Sequence, residues 1–174
     1  GCGRRTFGDV LVVVAEMEDA SSATTTSARR RGRQVALQVL YAADLGRGKA
    51  SELSGSEVIS KDPQEVFDQV ASHFEMPAAA RSFALAVVLG VREGLEPIDA
   101  QVTAHSENWR LDRMAVVDRN ILRLGTWELM ETDTPVPVIL DEAIDLARRF
   151  ADETSTSFVN GILDAIARTT RGRG

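Results

Sequence analysis

The chain has 174 residues, 44% hydrophobic and 26% charged, a balance that suits one globular domain with a real core. One cysteine, Cys2, and two histidines, His73 and His105, exclude a disulfide framework and a Cys-based zinc centre, and no metal or cofactor is expected. The formal charge is −6, yet residues 29–33 read Arg-Arg-Arg-Gly-Arg; without those four arginines the remainder carries −10, so a basic arm sits on an acidic body.

Residues 1–28 end in Ser21-Ser22-Ala23-Thr24-Thr25-Thr26-Ser27-Ala28. That run has no apolar period and is expected to lack stable structure. Met17 precedes it, so residues 1–16 read as sequence upstream of a start at Met17. Arg4 and Arg5 ahead of the apolar run at 10–15 do not make a signal peptide, because Glu16, Glu18 and Asp19 follow where small residues should precede cleavage. No apolar stretch approaches the roughly 18 residues of a membrane span.

From Arg29 the periodicity is helical. Val35, Ala36, Val39, Leu40 and Ala43 share one face, and Gly46 and Gly48 end that helix. A polar linker covers 51–61. Asp62-Pro63-Gln64-Glu65 is a helix start, with Val66, Phe67, Val70 and Phe74 as its apolar face. Pro77 opens a helix that buries Phe83, Val87 and Val91. Pro97 opens the next, carrying Ile98, Val102 and Trp109. Residues 111–131 are the longest periodic segment, through Leu111, Met114, Val117, Ile121, Leu124 and Leu129. A loop at 132–137 contains two prolines. A helix with Ala143, Ile144, Ala147 and Phe150 follows. The last helix begins near Ser155 or Ser157 and carries Phe158, Val159, Ile162 and Ile166. Residues 169–174 form a basic tail that includes Arg171 and Arg173. No segment reads as a strand. The expected fold is all-α, about seven helices in two packed sub-bundles.

Catalytic signatures are missing. There is no phosphate-cradling glycine loop and no nucleophile elbow. Asp141-Glu142 and Asp152-Glu153 stand near helix starts, where carboxylates favour the helix dipole. The arginine arm is the feature with chemistry in it. Arginine forks onto phosphates and stacks on bases, and Tyr41 follows two helical turns later, so single-stranded RNA is a candidate ligand.

Three segments then carry a family resemblance: Arg29-Arg30-Arg31-Gly32-Arg33 running to Tyr41; Trp109-Arg110-Leu111-Asp112-Arg113-Met114 running on through Val117-Asp118-Arg119-Asn120-Ile121-Leu122-Arg123-Leu124-Gly125 to Leu129; and Val138-Ile139-Leu140-Asp141-Glu142-Ala143 running to Ala147, with Ser157-Phe158-Val159-Asn160-Gly161-Ile162-Leu163-Asp164. Over residues 29–168 the chain resembles the NusB transcription antitermination family. That resemblance implies a cytoplasmic, non-enzymatic factor. It would bind boxA RNA of nascent ribosomal transcripts together with a small-subunit ribosomal protein, NusE, in an antitermination complex on RNA polymerase. The family holds both monomers and homodimers.

Residue by residue, the resemblance implies RNA contacts at Arg29, Arg30, Arg31, Arg33, Tyr41 and Phe158, and a partner face at Asp118 and Arg119. Thr154 departs from the family, whose members often carry a carboxylate there. Gly32 replaces a helix former and is expected to shorten the first helix. Trp109 and Trp127 read as core, and Asn160 and Gly161 as close packing of the last helix. One alternative is a protein–protein adaptor that never touches RNA. Another is a NusB-like domain ahead of a ribosomal RNA cytosine methyltransferase. That enzyme needs a second domain with a cofactor loop and a catalytic cysteine, which the six residues after Arg168 do not supply.

Overall fold

A computed structural model describes residues 24–45 and 62–172. The first helix, α1, is helical throughout 24–45. It is followed by α2 (Pro63–Ala71), α3 (Ala78–Glu93), α4 (Leu95–Ala104), a 3-10 turn (Leu111–Arg113), α5 (Val116–Glu131), α6 (Val136–Phe150) and α7 (Ser155–Thr170). No strand occurs among the described residues. The polar linker at 51–61, Gly46, Gly48, Arg173 and residues 1–23 with Cys2 lie outside them.

Local chemistry explains most boundaries. The Asp62 carboxylate accepts from the Gln64 amide at 3.0 Å and Pro63 takes the first helical position, so α2 starts where its sequence indicates. The segment at 111–131 is not one helix. It breaks at Met114 and Ala115, whose backbones are extended, and α5 begins only at Val116. Pro97 lies inside the first turn of α4 rather than at its start, and α4 ends at Ala104, so Trp109 falls beyond the helix. The loop before α6 is shorter than expected, because Val136 and Pro137 occupy its first turn.

The expectation of no structure up to Ala28 is corrected for 24–28, which are helical with Ala28 buried. Thr24 to Ser27 are exposed and extend the helix that packing anchors at Ala28. Gly32 does not shorten α1. A Cβ there would stand 2.8 Å from Phe83 Cδ1 and 2.9 Å from the Ala80 carbonyl oxygen, so the glycine lets α1 and α3 approach.

The core is one continuous cluster, including Val35, Val39, Phe67, Val87, Ile98, Ile121, Leu124, Ile139, Leu163 and Ile166. Helix α5 is its axis. It packs against α6 and α7, which also pack on each other, and on its other side against α3 and α4, with α2 on α3. The short loops 132–135 and 151–154 make α5, α6 and α7 run up-down-up. The start of α5, the end of α6 and the start of α7 therefore share one end of the molecule. The expected basic tail is also partly core architecture. The Arg171 guanidinium donates to the carbonyls of Glu128, Leu129, Thr132 and Thr134, satisfying acceptors that the end of α5 leaves open.

Gly32→Ala tests the close approach. Helix propensity alone would make it stabilising by up to about 1 kcal/mol. Overpacking against Phe83 and Ala80 should instead cost about 1–3 kcal/mol. Urea denaturation reads the sign; an unchanged or higher midpoint would contradict this packing.

Candidate nucleic-acid and partner interface

The four arginines of the arm share one helix and have different fates. Arg33 is only 2% exposed. It donates from Nε and Nη2 to the two carboxylate oxygens of Glu128 on α5, at 2.9 and 2.7 Å. Its Nη1 lies 3.8 Å from Glu142 of α6. Phe83 packs on it, ring centroid 5.2 Å from the guanidinium carbon. Arg33 is therefore a buried structural ion, and its expected role as an RNA contact is corrected.

Arg30 sits beside it at the surface. Its Nη2 and Nε donate to Glu142 Oε1 at 2.8 and 3.1 Å, and Asp145 lies 3.6 Å away. The hydrogen bond to Glu142, and then the charge of Glu142, raise its already high pKa, so it stays a cation at every relevant pH. More than half of its side chain remains exposed. Arg29 is exposed, its guanidinium 5.8 Å from the Phe83 ring. Arg31 lies 5.5 Å from the Phe74 ring and donates to Gln34 at 3.3 Å. Contacts of this exposed kind are worth about 0.5–1 kcal/mol and can be exchanged for a phosphate.

Tyr41 does not join them. It lies ten residues beyond Arg31, about 15 Å along α1. With Leu37, Gln38, Val70, Val117 and Phe150 it lines an open groove of about 420 Å³. The structure thus groups Tyr41 with Val117 and its neighbour Asp118. Asp118 is half-buried rather than exposed, and its Oδ1 is buried without a hydrogen-bond partner among the described residues. Position in the first turn of α5 gives the carboxylate some favourable dipole field but no donor. Arg119, expected on the same face, turns inward. It pairs with Asp44 at 2.8 Å and donates to the Leu111 carbonyl at 3.1 Å, with its side chain 13% exposed.

Phe158, in the first turns of α7, is half-buried. Trp109 and Phe158 pack in a T-shaped pair, ring centroids 5.8 Å apart and planes at 73°. Trp109 is 58% exposed, which corrects its reading as core. Trp127 is half-buried over Gly90, where no Cβ could fit beside its indole. Gly161 does not serve packing: it is exposed, and a Cβ there would meet nothing within 4 Å. Among the described residues no cluster of His, Cys, Asp or Glu could hold a metal ion, and no helix is long and apolar enough to cross a membrane.

This arrangement defines a class: a helical protein whose surface chemistry is cationic forks, exposed aromatic rings and an open apolar groove, features suited to holding partners. A family model described as the NusB family matches residues 30–168, and the chain belongs to that family. The transcription antitermination protein NusB of Sorangium cellulosum is 43% identical over 143 residues, which is 80% of this chain and 91% of the relative. The solved structure of T. maritima NusB aligns with a TM-score of 0.67 at 35% identity, covering 80% of this chain and 90% of that one. A complex of the antitermination factors NusB and NusE with double-stranded RNA aligns with a TM-score of 0.67 at 30% identity, covering 82% and 98%. The chain is accordingly a regulatory binding protein and not an enzyme.

The two classes of arginine separate by stability. Arg33→Ala strands Glu128 in the core and should cost about 3–5 kcal/mol. Arg29→Ala should stay within about 0.5 kcal/mol of the parent. Equal denaturation midpoints for the two variants would contradict the burial of Arg33.

Proposed function

We propose that this protein is a transcription antitermination factor. It binds boxA-type single-stranded RNA and the small-subunit ribosomal protein NusE, within a cytoplasmic antitermination complex on RNA polymerase. The observation that carries this reading is the presence of three solvent-accessible arginines, Arg29, Arg30 and Arg31, on one end of a helix whose fourth arginine is locked in the core. A body carrying net negative charge repels RNA, so affinity must come from such a patch. Phe158 supplies a ring for an unstacked base, which favours single-stranded over paired RNA. On the other face, the groove of Tyr41, Val117 and Phe150 offers apolar area next to Asp118. The half-buried Asp118 side chain places a negative charge beside that groove, which suits a protein partner bearing a cationic group. Tyr41 belongs to this protein face, not to the RNA face, and Arg119 supports it from behind by holding Asp44.

If Arg29, Arg30 and Arg31 each neutralise one phosphate, log K against log salt has a slope of about −2 for single strands. Replacing all three by alanine should remove most of that slope and weaken all RNA sequences alike. Retention of both affinity and slope would refute this site. Separately, Asp118→Arg should weaken the ribosomal protein by several kcal/mol while RNA affinity of the isolated chain is unchanged; calorimetry showing equal partner affinity would remove Asp118 from the interface.

A further inference from the structure

Among the described residues Trp109 is the most exposed of the large hydrophobic side chains, yet its backbone is well anchored. It closes a tight turn from Ser106. The Trp109 amide donates to the Ser106 carbonyl at 2.9 Å, and the buried Ser106 hydroxyl donates back to the Trp109 carbonyl at 3.1 Å. The T-shaped contact with Phe158 restrains the ring itself. The two hydrogen bonds fix the backbone that carries the indole and the Phe158 ring restrains the side chain, so this solvent-facing ring is partly preorganised and loses less entropy on binding.

Gly161 adds an independent observation. It lies three residues after Phe158 and so on the same side of α7. Glycine inside a helix costs about 1 kcal/mol relative to alanine. At Gly32 that cost is offset by helix packing, but at Gly161 no neighbour comes within 4 Å of the missing Cβ. The space is open to solvent, where something from outside the chain can approach the helix backbone. Arg110, next in sequence to the indole, has its side chain 71% exposed and pairs with Asp112 at the surface, a pairing a phosphate can displace.

We propose that Trp109, Phe158 and Gly161 form a stacking platform for a nucleobase of single-stranded RNA, with Trp109 supplying the open ring face, Gly161 the clearance and Arg110 a contact to the adjoining phosphate. This rests on the RNA-binding reading above and extends its surface from α7 to the turn before the 3-10 helix. A flat ring with a cation beside it matches base and phosphate together; an apolar protein side chain would use the ring but not Arg110.

The test is titration of the full chain with unstructured boxA-type RNA, followed by anisotropy of the RNA and by tryptophan emission. Emission should be quenched in step with binding, and Trp109→Phe should lose that quenching although Trp127 remains. Trp109→Ala should weaken RNA about tenfold or more with an unchanged salt slope, as loss of one stacked base does. Gly161→Ala should raise the melting temperature and still lower RNA affinity severalfold, a combination that a purely structural role cannot produce. RNA binding by the parent with wild-type affinity in both Trp109→Ala and Gly161→Ala overturns the platform and leaves the arginine site standing. Weakened binding of the ribosomal protein, with RNA unaffected, assigns the surface to protein and likewise overturns it. Failure of the parent to bind RNA rejects the functional reading itself.

Discussion

The pairing of Arg33 with Glu128 is the constraint around which this molecule is organised. Two fully buried opposite charges are tolerable only when geometry is good and every remaining polar atom is engaged. Here the fork is bidentate, and the second carboxylate nearby, Glu142, is itself shared with Arg30. Two guanidiniums and two carboxylates thus alternate across α1, α5 and α6. The arrangement sets the rotation of α1 about its axis, and with it which arginines face water. Surface-facing guanidiniums and a core ion pair are consequences of one helical phase.

A second charged layer fixes the far end of α1. Asp44 accepts from Arg119, Asn120 and Arg123 of α5, and Arg123 also forks onto Asp99 of α4. Between the two layers the contact is apolar. Helix α1 is therefore clamped at both ends by ions and in the middle by Val35, Val39 and their neighbours. Such a clamp holds the Tyr41 groove and the arginine patch at a fixed separation. On the proposed function, that separation is the spacing between the RNA face and the protein face.

Much of this was legible in the residue order. The Asp62-Pro63 start, the stripes of α3 and α7 and the all-helical class follow from caps and period, which are local. The split within Arg29–Arg33 was obscured because a run of one residue type hides phase. A signal was nevertheless present. Arg33 stands three, four and seven residues before Ala36, Leu37 and Leu40, and Glu128 stands four and seven after Leu124 and Ile121, so each charge falls on a buried stripe. Opposite charges on the buried stripes of two helices are expected to meet. Trp109 was misread for a different reason. Composition favours core for tryptophan, but the end of α4 at Ala104 depends on how the following turn packs, which no local pattern states. The role of Gly32 and the openness at Gly161 are invisible in one dimension, since both depend on whether another helix lies opposite.

The most direct measurement is NMR of the arginine Nε–Hε groups in the free chain and with single-stranded RNA. The account predicts that Arg33 gives a resonance strongly protected from solvent exchange and unmoved by RNA, while Arg29 and Arg31 exchange rapidly when free and shift on binding. Rapid exchange of Arg33, or an RNA-induced shift as large as that of Arg29, would show that the four arginines act as one arm and that the buried pair does not organise the molecule.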